Sequence, residues 1–258
     1  MDAATLYLEE RRQAILNRIT EQGRASVAEL SQALGVSEVT IRTDLQALAE
    51  RKLIVRTHGG AIPASDGRHD IALAMRRQKQ VQEKGRIGQA AAALVADGDA
   101  IFVDSSSTAL TLLPHLKNRR QLTIITNSLA VAQEMQDTPT VKVVMPGGTL
   151  HNDTASVIGT EGLKLLQKYN IQKGFFGAHG LTLAEGLTDV DADEADVKRE
   201  LVAMCRQSIA LLDATKWGQV GLASFARPQD INLIITDADA PEEMLAQIGQ
   251  LGIEIIVV

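Results

Sequence analysis

The chain has 258 residues, a formal net charge of −6, 45% hydrophobic and 22% charged residues, and only 3% aromatic residues. That length fits one large or two modest domains with a sizeable core of Leu, Ile, Val and Ala. A single cysteine, Cys205, excludes an internal disulfide framework and reads as a small buried thiol in a reducing compartment.

No apolar run approaches the roughly 18 residues that span a bilayer. The opening MDAATLYLEERRQ mixes acids and bases and has no signal-peptide pattern. A cytoplasmic protein with no membrane partner is expected. The charge is unevenly spread. Residues 1–86 hold 14 Lys/Arg against 11 Asp/Glu, and residues 87–258 hold 12 against 21. A mildly basic head on an acidic body suits a site-specific nucleic-acid reader better than a general polyanion binder.

Residues 7–22 predict an amphipathic helix with Leu8, Ile15 and Ile19 on one stripe, ending at Gly23. Arg11, Arg12 and Arg18 fall on its polar sides, as a solvated face or as phosphate contacts. Ser26 starts a second helix in which Val27, Leu30 and Leu34 face inward, and Gly35 permits a left-handed turn. Ser37 then caps a third helix, whose Ile41, Leu45 and Leu48 form a buried stripe. Its opposite side carries Val39, Thr43 and Gln46, flanked by Arg42, residue types that suit base edges and phosphates. The run Leu53–His58, the glycines 59 and 60, and Pro63 read as a β-hairpin wing. The predicted DNA-contacting set is Ser37, Val39, Thr40, Arg42, Thr43 and Gln46, with Arg56 and His58 from the wing.

This segment resembles the N-terminal domain of DeoR-type bacterial transcriptional regulators. The resemblance runs through Glu29, Leu30, Val36, Ser37, Thr40, Ile41, Arg42, Asp44, Leu45, Leu48, Arg56, His58, Gly59, Gly60 and Ala61. Lys52 stands where glycine is common, and Thr43, on the outward face, stands where the family usually has a second arginine, which points to a different operator preference. The resemblance implies a winged helix-turn-helix that binds double-stranded operator DNA as a homo-oligomer, dimer or tetramer.

Domain boundaries are expected at 1–63, 64–86 and 87–258, because ASDGRHD is small, polar and turn-forming and residues 71–86 read as a basic connecting helix. Beyond it, short apolar strands alternate with helical patterns. The strands are expected at 100–104, 122–126, 141–145, 172–178, 209–213, 231–236 and 253–258. The helices between them are expected at 87–96, 108–116, 129–136, 160–169, 191–207 and 241–250. This alternation predicts an α/β fold with a mostly parallel sheet and ligands at the C-terminal strand ends.

Three strand ends deliver small, donor-rich loops: Asp104, Ser105, Ser106, Ser107 and Thr108; Asn127 and Ser128; and Gly147 and Gly148. The first alone reads equally as an N-cap cluster, but the three together point to an anionic small molecule, which no single loop would. Lys198 and Lys216 are candidate positive charges. The acids at 189–196 lack the spacing of a calcium loop and read as a helix start.

The body, too, is similar to the sensor domain of DeoR-type regulators, itself similar in fold to ribose-5-phosphate isomerase. Asp104–Thr108 matches the family's phosphate loop with Ser106 in place of glycine, and Thr126–Ser128, Gly177, Gly180, Glu194 and Asp213 stand at further family positions. The resemblance implies a phosphorylated sugar effector, no cofactor and no catalytic residue. The function expected is a repressor of carbohydrate-metabolism genes. The alternative is a sugar-phosphate isomerase-like enzyme carrying a DNA-binding module, with Asp104 and Glu194 as conceivable carboxylates. No paired acid/base spacing supports it, and the five scattered histidines form no metal-ligand pattern.

Overall fold

In a computed structural model of the chain, residues 8–22, 25–51, 53–57, 59–63, 73–151 and 154–258 are described. They form two compact units, Met1–His69 and Asp70–Val258. Gly23, Lys52, His58 and the expected linker stretch 64–72 lie outside the described residues.

The smaller unit has three helices, α1 (Leu8–Gln22), α2 (Val27–Leu34) and α3 (Glu38–Glu50). Its small sheet holds β1 (Ala25–Ser26), β2 (Ile54–Thr57) and β3 (Gly60–Pro63) in the order β1-β3-β2, all antiparallel. Ser26 and Glu29 form a reciprocal capping box at the start of α2, satisfying N–H groups that the helix itself cannot. Gly35 closes α2 in the left-handed region at φ 63°, and Ser37 caps α3 through the Thr40 amide. Ile15, Ile19, Leu30, Ile41, Leu45 and Leu48 form the core. Leu8 does not join it. It is 47% exposed, and Leu16 takes its place beside Ile15.

The larger unit opens with α4 (Leu73–Arg76) and α5 (Val81–Ala93), separated by a break in which Gln80 has φ 51°. The single helix expected over 71–86 is therefore two, and α5 runs through the boundary predicted at residue 86. Next come β4 (Ala100–Val103), a 3₁₀ turn over 109–112 with α6 (Leu113–Leu116), β5 (Leu122–Ile125), α7 (Leu129–Met135) and β6 (Val141–Val144). A hairpin of β7 (Thr149–His151) and β8 (Ser156–Ile158) follows, then a 3₁₀ segment over 161–166 and β9 (Ile171–Phe176). The remainder is β10 (Gly180–Thr182), β11 (Gly186–Asp189), α8 (Ala192–Met204), β12 (Cys205–Leu212), β13 (Ala223–Ala226), β14 (Leu233–Thr236), α9 (Glu242–Gln250) and β15 (Glu254–Val257).

The seven expected strands form one wholly parallel sheet in the order β15-β14-β12-β9-β4-β5-β6. The C-terminal strand, β15, is an edge. Alternate side chains serve two cores. Ile101, Val103, Ile124, Phe175, Ile209 and Leu211 pack under α5 and α6, while Phe102, Phe176, Ala210, Leu212 and Ile234 pack under α8 and α9. Burial on both faces is why these strands read as unbroken apolar runs. Strand order reverses between β4 and β9, the kind of point outside whose strand ends open α/β sheets bind ligands.

Candidate nucleic-acid interface and effector site

In the smaller unit, Ser37, Val39, Arg42, Thr43, Gln46 and Arg56 are exposed and Thr40 is half-buried. Val39, at 69% exposure, is the most open large apolar side chain of α3. Arg42 pairs with Glu38 one turn earlier at 2.6 Å. The Thr43 hydroxyl donates back to the Val39 carbonyl at 3.0 Å. Gln46 accepts from Arg56 at 2.6 Å and donates to Glu50 at 2.9 Å, linking α3 to the wing strand β2.

Two of the arginines assigned to a solvated or phosphate-contacting face do something else. Arg11 Nε and Arg12 Nε donate to the two carboxylate oxygens of Asp44 at 2.7 and 3.0 Å, and Asp44 is 1% exposed. A helical wheel places a charged residue outward, but a long aliphatic stem lets an arginine lie along the protein and deliver its head to a buried acid. Arg18 does remain exposed.

In the larger unit, Asp104 and Gly177 face each other across the reversal point. The Gly177 amide donates to Asp104 Oδ2 at 3.0 Å. Lys198, reaching up from α8, lies 3.0 Å from the same oxygen and 2.7 Å from Asp189 Oδ2, and donates to the Gly177 carbonyl at 3.0 Å. Burial disfavours the ammonium, yet the carboxylates of Asp104, Asp189 and Glu194 outweigh it and raise its pKa, so Lys198 stays charged. Burial likewise pushes the Asp189 carboxyl upward, but Lys198 holds it below the usual range.

Ser105 contacts Asp104 and Glu194, each at 3.4 Å, and the Ser106 hydroxyl caps the Ala109 amide at 3.2 Å. The serine at 106 is accommodated by Gly177, where an added Cβ would stand 2.3 Å from Ser106 Oγ. Thr108 is buried, and its carbonyl accepts from the Thr111 hydroxyl at 2.6 Å. Ser128 caps α7 through the Val131 amide. Gly147 and Gly148 are exposed, and what approaches them is protein backbone. A Cβ on Gly148 would meet the Ile158 carbonyl at 2.3 Å, and one on Gly162 would meet that of Gly147 at 1.9 Å. Lys216 is half-buried in the turn after β12.

Glu194 bonds Ser156 and, at 2.6 Å, Thr154, joining the β7–β8 hairpin to α8. Both conceivable catalytic carboxylates, Asp104 and Glu194, are thus engaged with protein groups. Two acceptors are not: Asn127 Oδ1 and Asp213 Oδ2 are buried without a hydrogen-bond partner among the described residues. Such acceptors are costly unless something donates to them.

Sequence reasoning missed Lys84 and Arg76 by assigning both to a connecting helix. Lys84 is 4% exposed, and its ammonium donates to Ser107 Oγ at 3.1 Å and to the Arg76 carbonyl at 2.7 Å. Burial pushes its pKa down to about 8, against the pull of Asp213, and Lys216, Arg76 and Lys79 add to the lowering. Burial, Lys216 and Arg76 also lower the pKa of His179, with Asp189 opposing. The signal was present: Lys84 lies in phase with Ile87, Gly88, Ala91 and Ala92 on the buried stripe of α5. Starting that helix at Ile87 hid it.

Residues 11–66 match the DeoR-like helix-turn-helix domain and residues 79–238 the DeoR C terminal sensor domain. The chain is 34% identical over 246 residues to the HTH-type transcriptional regulator GolR of Listeria innocua, covering 95% of this chain and 97% of that protein. It is 31% identical to the HTH-type transcriptional repressor GlcR of Bacillus subtilis, over 98% of this chain and 97% of that one. It is 29% identical to the glycerol-3-phosphate regulon repressor of Escherichia coli, over 92% and 93%. The likeness to ribose 5-phosphate isomerase from Methanocaldococcus jannaschii is distant, with a TM-score of 0.39 at 18% identity over 52% of this chain and 53% of that one. The full-length relatives are regulators, which leaves the isomerase-like enzyme without support. From its head through its sensor domain, this chain belongs to the DeoR family of transcriptional regulators.

Proposed function

We propose that the protein is a repressor of carbohydrate-metabolism genes whose DNA affinity is set by a phosphorylated sugar or derivative bound at the C-terminal strand ends of its parallel sheet. In this reading α3 enters the major groove with Val39, Thr40, Arg42, Thr43 and Gln46, and Ser37 fixes the start of the helix. Arg56 and His58 reach the DNA backbone from the wing. The functional species is a homo-oligomer in the cytoplasm, so that two heads engage two half-sites.

The observation that carries the effector half is the pairing of unlike needs at the C-terminal strand ends. Asn127 Oδ1 and Asp213 Oδ2 are buried acceptors lacking donors among the described residues, and Lys84 is a buried cation beside the hydroxyl-rich loop 104–108. A polyhydroxylated anion supplies both, with hydroxyls for the acceptors and charge for the lysine. The names of the relatives, one a glycerol-3-phosphate regulon repressor, agree with that class. An effector shifts DNA affinity only through a difference in its binding to the two states.

The test is a thermal-shift panel of pentose, hexose and triose phosphates, followed by gel-shift assays on operator DNA with each hit. A compound that raises the melting midpoint and changes DNA affinity supports the reading. No midpoint change with any phosphorylated sugar would remove the effector half. DNA affinity unchanged by a bound compound would remove the control.

A further inference from the structure

We propose that Lys84 is the residue through which an anion in the 104–108 loop is felt by α4, the first described element of the larger unit. The ammonium bridges the two, donating to Ser107 Oγ on the loop and to the carbonyl of Arg76, the last residue of α4. An anion arriving at Ser107 draws the ammonium toward itself, because a charge-assisted bond to an anionic oxygen is stronger than one to a neutral carbonyl. The Arg76 carbonyl then loses its 2.7 Å bond, and the end of α4 loosens.

Three observations support this division of labour. The base of the lysine is anchored on the loop side, since the Thr111 hydroxyl lies 2.7 Å from the Lys84 carbonyl and 2.6 Å from that of Thr108, its one proton shared between them. The side chain is therefore the part free to change partner. Two backbone bonds also close the end of α4, Arg77 N to Leu73 O at 3.0 Å and Lys79 N to Arg76 O at 3.3 Å. Arg76 also acts electrostatically on Lys84, His179 and Asp189, placing α4 within the field of the site. In chain order α4 follows the DNA-binding unit, so a change in it occurs where the chain enters the sensor.

The inference rests on the anion reading of loop 104–108, and the experiment separates the two. Hydrogen exchange of the Arg77 and Lys79 amides is measured on the full chain with and without inorganic phosphate or ribose 5-phosphate, with ribose as the uncharged control. Binding is read independently by thermal shift. In the wild type, a bound phosphorylated compound should speed exchange at these amides about tenfold while ribose does nothing. In Lys84→Met the amides should already exchange fast and should not respond. Ser107→Ala, which keeps the Arg76 bond, should match the ligand-free wild type.

Exchange unchanged or slowed in a wild type whose midpoint has risen overturns the proposal. So does a Lys84→Met protein that still responds. If Lys84→Met does not fold, the wild-type response alone decides. If no phosphorylated compound binds the wild type, the effector reading fails. The ligand-free comparison then decides the clamp, and equal exchange in wild type and Lys84→Met overturns it.

Discussion

Arg56 on the first strand of the wing donates a 2.6 Å hydrogen bond to the side-chain carbonyl of Gln46 on α3. The other end of the same amide donates to Glu50, so the orientation of Gln46 is determined from both sides. Under the proposed DNA reading, these two residues have different signatures. Gln46→Ala should relax preference at one base position, at a cost of about 1–3 kcal/mol on the specific site. Arg56→Ala should weaken specific and random duplexes alike and lower the salt slope by about one. Gel shifts on both duplexes across a salt series check this, and equal losses for Gln46→Ala on the two would sink the assignment.

Arg42 is held by Glu38 in an exposed pair, an interaction worth little in the free protein. Arg42→Ala should therefore leave the melting midpoint almost unchanged while costing about 1–3 kcal/mol in operator affinity. A fall in midpoint that accounts for the binding loss would contradict it.

The Asp44 clamp makes the opposite prediction. Asp44→Ala leaves Arg11 and Arg12 facing an apolar gap, and loss of one partner from a buried ion pair costs about 3–5 kcal/mol. The only tryptophan, Trp217, lies in the larger unit, so its fluorescence is a poor reporter of the smaller one. Hydrogen exchange of the α1 amides is the suitable measurement. Protection there equal to wild type would show that the clamp contributes nothing.

Lys198→Met should destabilise the larger unit by about 3–5 kcal/mol near neutral pH, because Asp104 and Asp189 lose their counter-charge. The pH dependence has a definite sign. Asp189 is held below its ordinary value of 3.8, so its contribution is present above that pH and fades as pH falls through the lower, folded value. The gap between wild type and variant should accordingly narrow in acid. Urea titrations read by Trp217 from pH 7 to pH 3 test this, and a constant gap would refute it.

Lys84 titrates in the opposite regime. Its folded value of about 8 lies below the ordinary 10.5, so between those limits the unfolded chain holds a proton that the folded one has shed. Relative to Lys84→Met, the wild type should gain stability as pH rises from 8, by up to about 1.4 kcal/mol per unit. Affinity for a phosphorylated effector should move the other way, falling up to about tenfold per unit above pH 8 as the ammonium is lost. Isothermal titration at pH 7, 8 and 9 measures the second effect. A pH-independent affinity would remove Lys84 from the site.

Much of this architecture was legible because it follows from local periodicity. The seven apolar runs became the seven parallel strands, since a strand buried on both faces must be apolar throughout. The caps at Ser26 and Ser37 and the turn at Gly35 were legible because capping depends on neighbours within four residues. The β7–β8 hairpin and the β10–β11–β13 sheet were not, because strands such as Thr149–His151 and Gly186–Asp189 mix in glycine or polar residues and show neither an apolar run nor a period.

The sequence by itself determined which elements form, the family pattern they follow, and the loops where small polar residues collect. Only the tertiary structure decided where the buried charges find their partners. Asp44, Lys84, Glu194 and Lys198 each lie in phase with an apolar stripe, a position that a charge occupies only if a distant partner meets it. Those partners, Arg11 and Arg12, Ser107, Ser156, Asp104 and Asp189, come from elements that are remote in the chain or set at angles no local pattern encodes. Burial makes an unmet charge expensive, so such pairs form only when the whole fold has closed around them.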